Sequence, residues 1–492
     1  MIAANLPALQ VLTPLIAAPL CILLRNGRLA GLLTVAAAWS AFAIAVTLLL
    51  QVLESGPVTY MFGGWQAPWG IEYRIDVLNA FVLVIVGTIA AAVVPFAMKS
   101  AADEIIPQRH ALFWALVNLL IAGLFGIVVT GDLFNVFVFL EISSLASYAL
   151  VSLGRSPRAL TAAFRYLVLG TLGATFFLIG VGLLYAATGT LNMSDVAVRV
   201  QDQLGSRTVL VAFAFLTVGL SLKAALFPLH AWLPGAYAEA PSAVTALLAA
   251  TATKVAIYVL LRVIFLFGSA FTYIDLPLGE VLVAFALAGM LVGSAAALFQ
   301  TDVKRLLAYS SIAHVGYMLL GVGLGNLAGL TGGIAHLFNH ALAKGALFVA
   351  VGCVVLRTGS SHIERFAGLG RQMPWTMAAF VIAGLSLIGL PLTAGFASKW
   401  YLVVGALEHG WWWVAVLMVA SAAVAVLYVW RVLEVAYFRT PLPGAMPVSE
   451  APFEMLVPLW ALAGASVYFG IDTSFNIGVA ERAASAVLGL AP

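Results

Sequence analysis

The chain has 492 residues, of which 63% are apolar and 9% charged, against roughly 45–50% and about 25% in a soluble globular protein. Its formal net charge is +3, its two cysteines (Cys21 and Cys353) lie in apolar stretches with no CxxC pair, and no lysine follows a glycine. These features exclude a soluble enzyme, a nucleic-acid-binding basic patch, a thiolate-held zinc or iron–sulfur centre and a Walker A loop, and nothing in the chain calls for a cofactor or a metal. A mean hydropathy of +1.08 over the whole length predicts an all-α polytopic membrane protein.

Apolar windows of about 20 residues cross some 30 Å of hydrocarbon, and about fourteen of them are predicted here. They lie near 6–24, 30–53, 77–97, 111–130, 133–153, 162–187, 208–237, 241–267, 279–299, 306–325, 331–356, 374–407, 411–436 and 452–471. The first lacks a basic flank and a cleavage site, so it reads as a span and not as a signal peptide. Residues 54–76, with Gly63 and Gly64 among aromatics, are expected as an interfacial turn, and the Pro-rich piece at 441–452 as a loop.

The connections carry uneven charge. Odd-numbered ones hold Arg25, Arg28, Lys99, Arg109, Arg155, Arg158, Lys304, Arg305, Arg357, Arg365, Arg371 and Arg439, whereas even-numbered ones hold only Arg74, Arg199 and Arg207. Basic loops stay in the cytoplasm, so a prokaryotic plasma-membrane protein with both termini on the outer side is expected.

The seventh span reads GLSLKAALFPLHAWLPGAY from Gly219 and the twelfth GLSLIGLPLTAGFASKWY from Gly384. Proline removes a backbone donor and clashes with the preceding turn, so Pro228 and Pro391 should break both helices in mid-membrane. Five spans separate the two, an odd number, which gives them opposite orientations and suggests an inverted repeat around an ion pathway. The expected organisation is helices 1–3 in 1–110, a first five-helix repeat (helices 4–8) in 111–268, a second, inverted one (helices 9–13) in 279–438, and a loop with helix 14 in 439–492.

Of the six lysines, Lys223, Lys254, Lys344 and Lys399 fall inside apolar spans, and Glu141 is the deepest carboxylate. An ionisable group at a helix centre costs about 2.5–3.5 kcal/mol, so each needs a partner or a purpose. His336, His340 and Lys344 follow at spacing four and share one helix face. A buried lysine with a movable carboxylate partner is a switchable proton site, and histidine relays protons near neutral pH. The competing readings are a structural ion pair for Glu141 and a lysine, and interhelical hydrogen bonds or a metal site short of a third ligand for the histidines. His230 and Glu239 read as helix-end caps. Arg262 and Arg431 are expected to snorkel to an interface. His314, Asp132 and Arg165 either line water or pair locally, and the glycines of GVGLG at 321–325 read as close-packing positions.

KAALFPLHAWLP from Lys223, followed by Ala240-Pro241, Lys254 and Arg262, resembles the core of the antiporter-like subunits of respiratory complex I and their relatives. The likeness extends to Glu141, the His-bearing eleventh span and the broken twelfth span with Lys399, and so covers roughly 110–430. Length and the PLTAGFASKW segment look most like the D-type subunits of the multisubunit Mrp-type monovalent cation/proton antiporters. The resemblance implies that Glu141 and Lys223 form an ion pair beside a first half-channel. It further implies that Lys254 passes the proton inward, His336 and His340 relay it and Lys399 is the terminal site, with His230, Asp132 and His314 as accessories. It implies membrane subunits as partners, protons as cargo, and Na+ or another monovalent cation carried by the complex. A redox-driven pump subunit is the alternative. A lone organic-solute carrier and a passive scaffold fit the four buried lysines less well.

Overall fold

The computed structural model describes residues 3–203, 205–267, 277–444 and 446–490; the expected repeat boundary at 268 and the last two residues of the C-terminal piece lie outside these. Among the described residues, twelve helices are long and apolar enough to cross a membrane. The long helices that open the chain are α1 (Leu6–Leu24), α2 (Gly27–Ser55), α3 (Val77–Glu104), α4 (His110–Val129), α5 (Leu133–Ser152) and α6 (Arg158–Thr188). After the short α7 (Met193–Arg199), the seventh span is two pieces, α8 (Arg207–Lys223) and α9 (Leu233–Glu239). Helices α10 (Ser242–Ala250) and α11 (Ala252–Leu266) share the eighth, and α12 (Leu278–Leu298), α13 (Val303–Leu324) and α14 (Leu327–Thr358) follow. A short α15 (Leu369–Gln372) precedes the broken twelfth span, α16 (Pro374–Ile388) and α17 (Ala394–Glu408). Helices α18 (Trp412–Phe438), α19 (Phe453–Ile471) and α20 (Asn476–Leu488) close the chain.

Side-chain caps start many of these helices. Asn26, Asp76, Asp132, Asn192, Asp302 and Asn326 each accept a backbone N–H from the first turn, satisfying donors that have no partner inside a helix. Two of the caps belong to a larger unit that occurs twice. On one face Asp132 bridges to Asn192, Leu133 N–H donates to the Leu191 carbonyl, and the Thr188 hydroxyl bonds Leu184 O. On the other face Asp302 bridges to His362, Val303 N–H donates to the Ser361 carbonyl, and the Thr358 hydroxyl bonds Val354 O. The unit joins α5 to the end of α6 and, inverted, α13 to the end of α14.

The helix breaks also match. Leu226 N–H reaches back to Ser221 O and Leu390 N–H to Leu385 O, with Ala225 (φ 54°) and Gly389 (φ 89°) left-handed between them. This is the helix-ending turn that satisfies carbonyls freed at a C-terminus.

Several expectations need correction. The eighth span, read as continuous over 241–267, is interrupted at Thr251, whose φ/ψ of −126°/−58° is not helical. The 54–76 turn contains a two-stranded antiparallel ribbon, β1 (Val58–Met61) on β2 (Glu72–Ile75), with Val58 opposite Ile75. The C-terminal piece holds one more helix, α20, which buries Asn476, Ile477, Val479 and Ala480. Arg262 and Arg431, expected to reach an interface, have polar partners there: Arg262 pairs with Asp76 at an open cavity, and Arg431 donates to Leu298 O and Gln300 O at the end of α12.

Small residues set the closest helix crossings. A Cβ on Gly173 would lie 2.9 Å from Gly219 O, and one on Gly219 2.5 Å from Gly173 O, so α6 and α8 meet backbone to backbone. Gly321 likewise meets Gly329 and Gly333 at 2.5–2.8 Å, as small-residue packing in lipid requires. Gly219→Leu is therefore expected to separate α6 from α8; overpacking of about 1–3 kcal/mol should show as a lower yield of monodisperse protein by size-exclusion chromatography, with Gly219→Ala intermediate.

Candidate functional site

The first cluster forms where α5 faces the end of α8. Glu141, Ser144 and Tyr148 recur at spacings of three and four and share a helix face. Lys223, the last residue of α8, donates to Ser144 Oγ at 2.7 Å and to Tyr148 Oη at 3.2 Å, and its Nζ stands 3.8 Å from Glu141 Oε1. The ion pair is thus loose: the ammonium's close partners are the two hydroxyls. Behind Lys223 a cavity of about 30 Å³, lined by Ser143, Ser144, Ser147 and Tyr166, reaches Ala252, Val255 and Ala256 on the first turns of α11. Leu120, Leu124, Ile127 and Leu140 complete the lining, so the space is mixed in character, and its size accommodates a water molecule beside the serines.

Lys254 lies on that same part of α11 and is fully buried. Its ammonium donates to the Ala249 carbonyl, just before the interruption at Thr251, and more weakly to Thr253 Oγ1 at 3.4 Å. The break supplies the acceptor that a continuous helix would have used up.

The histidines come next. His314 of α13 and His336 of α14 share a hydrogen bond of 2.9 Å between Nδ1 and Nε2, and His336 Nδ1 meets Ser398 Oγ at 2.8 Å. His340 stacks on His314 with ring centroids 4.6 Å apart, and neither of its nitrogens has a protein partner. The three rings are stacked and do not converge on one point, and no group of three His, Cys, Asp or Glu among the described residues has metal-holding geometry. Lys344, one turn beyond His340, donates to Leu307 O at 2.7 Å and to Ser310 Oγ. Lys399 donates to Leu387 O and Ile388 O at 3.0 and 2.8 Å, both freed by the break after α16, and its ammonium lies 4.7 Å from the Tyr317 ring centroid.

The structure thus gathers Glu141, Lys223, Lys254, His314, His336, His340, Lys344 and Lys399 in the protein interior, on α5, α8, α11, α13, α14 and α17. The other accessories fall elsewhere. Asp132 caps α5 on the face that carries the ribbon, accepting from Asn135 N–H at 2.7 Å. His230 lies in the seventh-span break, stacked on Phe227 at 5.4 Å, with Nδ1 buried and unpartnered. Glu239 pairs with Arg305 at 3.5 Å on the opposite face, and Arg165 is exposed. Ser144, Tyr148, Ser310, Tyr317 and Ser398 went unrecognised in the sequence; helical spacing from Glu141, His314 and Lys399 was the available signal for most of them.

An α-helical membrane protein with three interrupted spans and buried ionisable side chains has the build of an ion-translocating subunit. The chain belongs to the NADH:quinone oxidoreductase/Mrp antiporter transmembrane family, whose pattern matches residues 130–425. It is 44% identical to the NADH-quinone oxidoreductase subunit N of Desulforudis audaxviator, over 95% of this chain and 96% of that one. It is 31% identical to the D-type subunit of the Na(+)/H(+) antiporter of Bacillus subtilis, over 98% and 97%. Among solved structures it resembles a chain of the Mrp complex from Dietzia sp. DQ12-45-1b, with a TM-score of 0.90 at 27% identity, covering 99% of this chain and 98% of that one.

Gly389 is required twice at the Lys399 site. Its φ is +89°, and a Cβ there would come within 2.8 Å of the Lys399 side chain. Gly389→Ala should cost at least about 1–2 kcal/mol for the left-handed conformation alone, read as a lowered unfolding midpoint of the purified protein. An unchanged midpoint would show that the break relaxes around the methyl group.

Proposed function

We propose that this chain is the proton-translocating subunit of a multisubunit secondary antiporter that exchanges protons for Na+ or another monovalent cation. The observation that carries this reading is the interior row from Glu141 and Lys223, past the small cavity, to Lys254, the three histidines and Lys399. Hydrogen bonds are in place from Lys223 to Ser144 and Tyr148, between His314 and His336 and between His336 and Ser398, and the other steps cross gaps between neighbouring groups. Lys223 exchanges partners between Glu141 and the two hydroxyls of α5; Lys254 follows across the cavity; His340, with both nitrogens free of protein partners, receives from the lysine side; His314 and His336 share one hydrogen bond; Lys399 closes the row beside Ser398. Protonation of one site changes the field at the next, so the sites titrate as a coupled set.

The proton-motive force supplies the drive: about 2.3 kcal/mol per charge at 100 mV, so moving more protons than cations lets the potential power export. The row offers lysines and imidazoles and no carboxylate cluster suited to a hard cation, which supports a cation path in another membrane subunit of the complex. Regions 111–268 and 279–438 would be its two inverted repeats, as the duplicated cap-and-bridge unit supports. The ribbon and α20 lie on the face of the even-numbered connections, opposite the basic odd-numbered ones, which supports a prokaryotic plasma-membrane protein with both termini outside.

A second reading keeps the proton path and places the chain in a redox-driven complex; the 44% identity to an NADH-quinone oxidoreductase subunit favours it. Copurification separates the two, with small membrane subunits on one side and iron–sulfur proteins on the other. The deciding experiment is cation-dependent collapse of a proton gradient in everted vesicles carrying the full complex. Native chain should give a Na+-dependent signal, and Glu141→Ala and Lys399→Ala should lower it at least about tenfold, the effect of about 1.4 kcal/mol, with the complex still assembled. Exchange intact in both variants would remove the row from the mechanism, and no cation dependence in the native complex would favour the redox-driven reading.

A further inference from the structure

Helix α11 carries a second polar row. Lys254, Tyr258 and Arg262 are spaced by four and share one face, so Arg262 lies about 12 Å along the helix from Lys254. Arg262 lines a cavity of about 310 Å³ that opens on the face of the even-numbered connections, together with Arg74, Asp76, Asn79, Thr130 and Tyr258. The backbone of Lys254 is therefore two helical turns from a water-accessible opening that the main row does not use, while its ammonium is turned the other way, to the Ala249 carbonyl.

What stands between them is a closed hydrogen-bond network. The Tyr258 hydroxyl donates to Val128 O at 3.1 Å, and its oxygen accepts from Asn79 Nδ2 at 2.7 Å and from Arg262 Nε at 3.3 Å. A hydroxyl has one donor and two acceptor positions, and all three are engaged. Asn79 is equally committed: its amide nitrogen donates to Val128 O and Tyr258, and its oxygen accepts from Arg262 and from Asp76 N–H. The Arg262 guanidinium is also ion-paired with Asp76. A guanidinium keeps its proton under all conditions a cell offers, so it carries none onward. Tyr258 and Asn79, the groups of this network other than the ion pair, have no free position to accept a proton from Lys254, and the Asp76 carboxylate, whose Oδ1 takes the Arg262 guanidinium and the Asn79 N–H, belongs to the cavity lining.

We propose that Tyr258, Asn79, Arg262 and Asp76 form a proton-tight seal between Lys254 and the cavity on the even-connection face, which forces protons on Lys254 to leave sideways toward His340. The proposal rests on reading Lys254 as a proton carrier. A positioned arginine keeping protons out of an otherwise open path is an established physical device. The seal makes transport coupled: without it, a proton reaching Lys254 would cross the membrane without passing the histidines or Lys399.

The test uses the whole complex in proteoliposomes with an imposed pH gradient and no transported cation. Native complex should hold the gradient. Arg262→Gln, and the charge-balanced pair Asp76→Asn with Arg262→Gln, should raise proton flux about tenfold or more, as expected when a fixed barrier in a low-dielectric path is removed. Adding Lys254→Ala to either should return the flux to the native level. Variants as tight as the native complex, or a leak that persists without Lys254, would overturn the seal. Where changing the ion pair prevents assembly, Tyr258→Phe keeps the ring and the pair and opens only the hydroxyl position; it too must leak, and a tight Tyr258→Phe complex counts against the proposal. The underlying reading fails separately: unimpaired exchange in Lys254→Ala alone removes Lys254 from the pathway, whereas exchange lost in Lys254→Ala beside a tight Arg262→Gln complex removes only the seal.

Discussion

The constraint on which the rest of this structure depends is the cost of holding an ammonium group inside a membrane protein. Water is scarce there and a lone charge is expensive, so each buried lysine must find oxygen atoms that the fold can spare. In an unbroken helix each interior carbonyl already accepts one bond and has only its second lone pair to offer. The chain frees carbonyls by interrupting helices. Lys399 takes two carbonyls released after Ile388, Lys254 takes one before Thr251, and Lys223 stands at the end of α8 beside two hydroxyls and a carboxylate. Lys344, on an unbroken helix, uses Leu307 O and Ser310 of a neighbouring one. At Lys254 and Lys399 helix break and lysine are therefore one feature: removing those breaks would take away the carbonyls these two ammonium groups use.

The two halves build alike and are equipped differently. The cap-and-bridge units at Asp132 and Asp302 and the left-handed turns after α8 and α16 recur with the same hydrogen bonds. The side chains pointing inward do not recur. In the first half Tyr166 of α6 stacks on Trp232 at 4.1 Å, and the Trp232 indole N–H satisfies the Leu222 carbonyl freed by the break. In the second half Lys399 satisfies the carbonyls at the corresponding break, and α14 presents imidazoles. One half thus holds a lysine beside a carboxylate, and the other holds a lysine near imidazoles. A repeated scaffold with unequal chemistry gives the row a direction that a symmetric pair of channels would lack.

Much of this was legible in the sequence because hydrocarbon leaves few options. Span positions follow from hydropathy, the two Pro-marked breaks from the missing donor, and the burial of four lysines from their place in apolar segments. The break at Thr251 was hidden, since neither proline nor glycine stands there and Thr-Ala-Thr-Lys reads as helix. Arg262 was read as reaching for the interface because its partner Asp76 is distant in the chain and looks only like the cap of α3. Helix α20, at 13 residues, is too short for a span and gave no hydropathy signal. His314 stood alone in α13, and only the packing of α13 on α14 brings it against His336. Local propensity and burial are written along the chain; pairings between distant segments are set by packing.

The distribution of satisfied and unsatisfied groups bears on where movement occurs. Tyr258 and Asn79 have their side-chain hydrogen-bonding positions filled, and a filled network resists rearrangement because each change leaves a buried group unpaired. Glu141 Oε1 and both nitrogens of His340 lack hydrogen-bond partners in the protein. These are the positions where a bond can form without another first breaking. They lie on either side of Lys254, toward Lys223 and toward the histidines, while the saturated network lies beyond it along α11. If the row carries protons as proposed, the path of least rearrangement from Lys254 runs within it, and the accounting of donors and acceptors that stabilises the buried charges also bears on the route between them.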